Sequence, residues 1–124
     1  MIKDCEANHP FAGYIGKDMR HIILKLVLIH RISKGQIYSY ALINELNNTK
    51  ISKLLEKKGM ALKNDIYNTL SSLERSGYIK SKLKTEKGKV RNYYVLTQKG
   101  RKALTGFKTI FMKTMKEFIN VMKE

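Results

Sequence analysis

The chain has 124 residues, 43% of them hydrophobic, with 25 lysines and arginines against 10 acids and a formal net charge of +15. That length holds one hydrophobic core rather than two ordinary domains, and the apolar content excludes a wholly disordered chain. Such a charge favours a polyanionic partner, nucleic acid first and an anionic membrane surface second, and excludes a basic one. The bland alternative is a protein whose lysines only keep it soluble in high salt or heat. The single cysteine, Cys5, builds no intrachain disulfide, so a reducing compartment is expected. No signal peptide is read at the acidic, polar start. The first apolar run, Ile22–Ile29, is interrupted by Lys25 and too short to span a bilayer. The expected location is therefore cytoplasmic and nucleoid-associated, with no membrane partner.

In chain order, residues 1–17 contain Pro10, Gly13 and Gly16 and show no period, which predicts an irregular N-terminal arm. Asp18 can cap a helix with Ile22, Ile23, Leu26, Val27 and Ile29 on its buried face, widened by Leu24 and Leu28. Gly35 breaks the chain. Ser39 is the expected N-cap of a second helix carrying Leu42, Ile43 and Leu46. The period resumes at Ile51, Leu54 and Leu55 and ends at Gly59, which fits one long helix or two short ones. A third helix is expected to start at Asn64 or Asp65, with Ile66, Leu70 and Leu73 as a narrow apolar stripe, and to stop at Gly77. Two strands follow, Tyr78–Thr85 and Val90–Thr97, joined by Glu86–Lys89 as a hairpin. Residues 98–124 form a last long helix. Its stripe is Leu104, Phe107, Phe111, Met115, Phe118 and Met122, at steps of three and four, broadened by Ile110, Met112 and Ile119.

Charge gathers on the hairpin. Residues 78–102 hold nine cations and one acid, Glu86, a net +8. Lys80, Lys82 and Lys84 alternate along a half-buried first strand and share its wet face, with Ile79 and Leu83 on the other, buried one. With Lys87, Lys89 and Arg91 they can reach several phosphates. Protection of an edge strand by charge also explains the first three lysines, but not the loop or Arg91. The third helix pairs its apolar stripe with a small polar face of Tyr67, Asn68, Ser71 and Ser72. Lys63 and Asn64 stand at its expected N-terminal end, where backbone N–H groups attract phosphate. Asn and Ser can read base edges or hold the backbone. Tyr67 either faces DNA or packs on the hairpin. A helix–turn–helix followed at once by a basic hairpin is a fairly specific pattern for DNA binding.

Three ordered blocks carry a family resemblance. Gly35-Gln36-Ile37-Tyr38-Ser39-Tyr40-Ala41-Leu42 leads into the second helix. Asn64-Asp65-Ile66-Tyr67-Asn68-Thr69-Leu70-Ser71-Ser72-Leu73-Glu74-Arg75-Ser76-Gly77-Tyr78-Ile79 covers the third, and Tyr93-Tyr94-Val95-Leu96-Thr97-Gln98-Lys99-Gly100 closes the hairpin. Over residues 20–104 the chain resembles the PadR family of winged-helix transcriptional regulators. Ser39 stands for the usual glycine between the tyrosines, Asn68 for the usual proline, and Asn64-Asp65 for Gly-Thr. By that resemblance the last two departures fall where DNA is contacted, so the operator is not inherited from relatives.

The fold class expected is α+β, mainly helical. It is a winged helix–turn–helix of three helices and a two-stranded hairpin, over residues 18–97, with a long C-terminal dimerisation helix over 98–124. The expected DNA-binding residues are Tyr38, Lys63, Asn64, Tyr67, Asn68, Ser71, Lys82, Lys84, Lys87, Lys89 and Arg91. The resemblance implies pairing through the C-terminal helix, with Leu104, Phe107, Phe111, Met115, Phe118 and Met122 at the contact. Two-fold symmetry then implies double-stranded DNA with a roughly palindromic site. It also admits a small-molecule effector near the dimer interface. No paired carboxylates and no phosphate loop suggest an enzyme. Glu45, Glu56 and Glu74 read as solvated, and Cys5, His9, His21 and His30 match no metal-ligand spacing. No cofactor is expected. The expected function is a sequence-specific regulator, a repressor by preference. The alternative is an architectural or interaction protein with the same fold and no sequence selectivity.

Overall fold

The computed structural model describes residues 10–55 and 59–124. Its elements are α1 (Pro10–Ser33), β1 (Ile37–Tyr38), α2 (Ser39–Asn47), α3 (Ile51–Leu54), α4 (Gly59–Arg75), β2 (Ile79–Glu86), β3 (Lys89–Leu96) and α5 (Gln98–Lys123). The helices enclose one core on one side of a small antiparallel sheet. Leu24, Leu28, Ile29 and Ile32 of α1 meet Leu42, Ile43 and Leu46 of α2 and Leu62, Ile66, Leu70 and Leu73 of α4. Ile37, Ile79 and Tyr94 close the core from the sheet.

Three helix boundaries differ from the sequence reading. The first helix begins at Pro10, not Asp18, and runs through Gly13 and Gly16. Proline is tolerated in a first turn, where its missing N–H would have no partner, and an isolated glycine weakens a helix without ending it. Ser39 is the first residue of α2 and not its cap. Tyr38 holds the cap position, with no side-chain hydrogen bond. The third helix begins at Gly59, so Asn64 and Asp65 lie in its second turn rather than at a cap. The reason is tertiary: Gly59 N donates to Asn47 Oδ1, twelve residues back, at 3.3 Å. The middle of the chain is two short helices with a bend between them. The stripe on α4 gains Leu62 and a buried Thr69, whose hydroxyl donates to Asp65 O at 2.7 Å. That bond removes the cost of burying the hydroxyl.

The hairpin is a fully paired ladder from Ile79↔Leu96 to Glu86↔Lys89. Its turn is the two residues Lys87 and Gly88, both at positive φ (49° and 77°). That is the type I′ geometry whose twist matches paired strands. The sheet has a third strand that the sequence reading lacked. β1 pairs with β3 through Ile37↔Tyr94 and Tyr38↔Tyr93, giving the order β1-β3-β2. Two residues are too few to show a period.

One expectation about the wing fails. Leu83 was expected to share a buried face with Ile79, yet only Ile79 is buried and Leu83 is exposed. A strand advances about 3.3 Å per residue, so an eight-residue ribbon soon overhangs the helices beneath it. Glu45 and Glu74 are exposed, as a solvated reading expects, and each also holds a partner. Glu45 takes a two-point bond from Arg31 at 2.7 and 3.1 Å, joining α1 to α2. Glu74 accepts from Ser81 N and Oγ, at 3.3 and 2.6 Å, joining α4 to β2. Glu56, Cys5 and His9 lie outside the described residues.

Candidate nucleic-acid interface

The amphipathic pattern of α4 decides which of its residues are free. The stripe from Leu62 to Leu73 turns inward. Lys63, Asn64, Tyr67, Asn68 and Ser71 fall on the outer face and are exposed. Tyr67 keeps 39% of its surface open, so packing does not use it up. The outer face carries small hydrogen-bonding groups and one lysine, as a groove reader needs. Because Asn64 is in the second turn, its N–H is not one of the free groups at the helix start, and the phosphate site expected there is not formed.

The sheet register sorts the wing. Lys80, Lys82, Lys84 and Glu86 pair with Val95, Tyr93, Arg91 and Lys89, so these side chains share one face. The opposite face carries Ile79, Ser81, Leu83 and Thr85 with Leu96, Tyr94, Asn92 and Val90. It is the face that packs on α4, through Ile79, Tyr94 and the Ser81–Glu74 bonds. The alternating lysines therefore point away from α4. Lys82, Lys84, Lys87 and Lys89 are exposed and Arg91 is half-buried.

Arg91 is held by an aromatic cluster. Its guanidinium lies 4.4 Å from the Tyr38 ring centre, and Tyr38 meets Tyr93 edge-on at 5.6 Å and Tyr40 in parallel at 6.5 Å. Lys84 Nζ stands 5.5 Å over Tyr93. The Tyr93 hydroxyl donates to Glu86 Oε2 at 2.7 Å, and that bond, with desolvation, raises its pKa above the ordinary phenol value. The only acid of the hairpin thus already holds a donor. The sequence shows Tyr38 and Arg91 but not their contact, which depends on the β1–β3 register. Tyr40 and Tyr93 were missed as members of this cluster.

The C-terminal stripe divides as its contacts dictate. Leu104 packs against the core, and Phe111 and Met115 are half-buried. Phe107, Phe118 and Met122 are exposed, as are Ile110, Met112, Ile119 and Val121. Phe107 and Phe111 stack at 6.0 Å. An apolar cleft of about 290 Å³ separates α1 from α5, with Ile22, Leu26, Leu73, Leu104 and Phe107 on its walls.

His30 stands nearby, with its Nδ1 buried and unpartnered. Burial lowers its pKa, and Lys108 and Lys34 lower it further. The unfolded chain therefore binds this proton at a higher pH than the folded chain does. Above the unfolded value both forms are neutral and His30 contributes nothing. As pH falls through about 6.5 the unfolded state gains stability first. We expect the urea midpoint to drop between about pH 7.5 and 5.5, above the carboxylate range, and His30→Leu to flatten that drop. Parallel losses in both proteins would show that another group is responsible.

Among the described residues no cluster of His, Cys, Asp or Glu could hold a metal ion, and no helix is long and apolar enough to cross a membrane. A helical core, an exposed polar helix face and a basic hairpin define a winged-helix fold. The model of the transcriptional regulator PadR-like family matches residues 27–106, and the chain belongs to that family. It is a DNA-binding transcriptional regulator. No curated protein matches it.

Solved structures agree on the fold. The chain is similar to a PadR-like transcriptional regulator from Bacillus cereus, at 24% identity, covering 86% of this chain and 98% of that one, with a TM-score of 0.70. It is similar to a PadR family regulator from Eggerthella lenta, at 18% identity, 90% and 92% coverage and a TM-score of 0.68. A PadR-like transcription factor from Bacteroides fragilis matches at 21% identity, 88% and 98% coverage and a TM-score of 0.66.

Proposed function

We propose that this regulator is a sequence-specific repressor that binds a roughly palindromic duplex site as a homodimer. The observation that carries the reading is the exposed polar face of α4, Lys63 to Ser71, beside a wing rich in cations. In this reading α4 enters the major groove, where Tyr67 and Asn68 select sequence. Lys82, Lys84, Lys87, Lys89 and Arg91 hold the backbone or the adjacent minor groove. Tyr38 acts by fixing the Arg91 guanidinium, a stacked cation suited to phosphate. Pairing through α5 sets the spacing of two such helices. A dimer of this kind blocks transcription by occupying its site. A small apolar effector entering the cleft between α1 and α5 would shift that spacing and release DNA.

Selection of bound fragments from a random DNA pool tests the reading. A recovered consensus with two-fold symmetry supports it, and recovery of unselected sequence favours the architectural alternative. On the recovered site at fixed salt, Tyr67→Ala and Asn68→Ala are expected to cost about 1–3 kcal/mol each, and to cost less on random DNA. Lys87→Ala and Lys89→Ala should weaken both duplexes equally, because phosphate contacts carry no sequence information. Unchanged selectivity in the two helix variants would remove α4 as the base reader.

A further inference from the structure

Two aliphatic side chains near the wing tip have no place in the core. Leu83 is 74% exposed and Val90 66% exposed. The register sets them on one face, Leu83 opposite Asn92 and Val90 opposite Thr85. That face continues through Ser81 and Tyr94 to α4, so the pair lies on the α4 side of the wing, beyond the end of the helix packing. Lys82, Lys84, Lys87, Lys89 and Arg91 surround it from the turn and the reverse face. Four cations on the reverse face and Lys87 at the turn, with a single acid itself bound to Tyr93, make the wing tip strongly cationic, which excludes a basic partner and selects a polyanion. Aliphatic groups among phosphate contacts need apolar surface on that polyanion, and deoxyribose and base edges supply it. With α4 in a major groove, the next groove along the duplex is a minor groove. Apolar wedges there open base steps and kink the helix.

We propose that Leu83 and Val90 form an apolar wedge that enters the minor groove beside the one read by α4 and bends the duplex, while the surrounding cations grip its two phosphate walls. The two-residue turn keeps the tip narrow and stiff. The type I′ geometry leaves no loop to fold away from the groove. The inference rests on the placement of α4 proposed above, and its test separates the two.

The probe is a mixed-sequence duplex with a donor and an acceptor dye at its ends. The Leu83→Ser/Val90→Ser double variant should melt with the wild type, because neither side chain packs in the core. We expect it to bind roughly tenfold more weakly, the loss of one well-buried aliphatic contact. The slope of log affinity against log salt should stay the same, since no cation is removed. The shortening of the end-to-end distance expected with wild type should be absent with the double variant. Wild-type affinity and bend in the double variant would overturn the wedge and leave α4 reading DNA. A weaker complex with a shallower salt slope would overturn it too, by assigning the loss to displaced cations. A change in sedimentation of the free protein with DNA affinity intact would make the pair a contact between copies, again overturning it. A wild type that bound no duplex would sink both the wedge and the function proposed above.

Discussion

Gly100→Ala is expected to cost about 3 kcal/mol of folding free energy, the upper end for an overpacked site plus part of a hydrogen-bond network. A Cβ at position 100 would lie 2.1 Å from Tyr78 O and 2.7 Å from Leu96 Cδ1. The leucine tip can turn aside, but the carbonyl cannot. Tyr78 O accepts from Thr97 N at 3.2 Å and from Thr97 Oγ1 at 3.0 Å. The same hydroxyl approaches Gly77 O at 2.6 Å and caps α5 by accepting from Gly100 N at 3.0 Å. Lys99 adds a bond to Ser76 O at 2.6 Å. This corner joins the end of α4, the start of β2 and the start of α5. Moving any one of them to admit a methyl group loosens the others. Domains of this size are stable by about 5–15 kcal/mol, so the variant loses a large share. Its melting temperature should fall by roughly 10 °C or more. Gly106→Ala is the control. It lies in the same helix with nothing within 4 Å of its Cβ, and it should gain about 0.5–1 kcal/mol from the better helix former. Equal melting of the two variants would show that the corner is soft.

That corner also shows where a sequence stops speaking. Thr97 and Gly100 are visible as a cap residue and a glycine near a helix start. The carbonyl that makes the glycine necessary comes from Tyr78, across the hairpin. The same division recurs through the molecule. The core of α1, the hairpin, its turn and the long C-terminal helix rest on local periodicity and turn chemistry, and the sequence shows them. The start of α4 depends on a bond from Gly59 to Asn47, and local capping preferences placed it five residues late. On the wing, alternation reveals two faces without saying which one meets α4. Register and the Ser81–Glu74 bond decide that, and they turn Lys80, Lys82 and Lys84 away from α4. Alternation likewise assigned Leu83 to the core, because a period reports sidedness and not how far a ribbon extends past its support. The outer face of α4 was legible, because burial of Ile66, Leu70 and Leu73 leaves Tyr67, Asn68 and Ser71 no other direction.

Phe118→Glu is expected to make the protein monomeric and to weaken its hold on a two-fold duplex site by about 100-fold or more. The early turns of α5 have a partner within the chain, since Leu104 packs on the core. Among the described residues the later turns are mostly exposed. Gly100 is the only buried residue described for this helix, and Phe118 is 54% exposed. With Phe107, Ile119, Val121 and Met122 it leaves an exposed apolar stripe on one side of the helix. The spacing of three and four along Leu104, Phe107, Phe111, Met115, Phe118 and Met122 suits that surface to the helix pairing proposed above. A second copy is the occupant proposed for it. In the isolated subunit a glutamate at position 118 meets water and costs little, so folding should survive. Across a two-fold seam each substitution acts twice, burying two carboxylates against apolar neighbours. Without pairing, each reading helix binds alone, and the gain from tethering the second is lost. Asn120→Glu makes the same change in charge on the opposite side of the helix and should leave both properties intact. Sedimentation and duplex affinity decide the matter together. A Phe118→Glu protein that still sediments as a dimer would move the pairing surface off this stripe. A monomer that kept full affinity would mean that one winged helix is the whole reader.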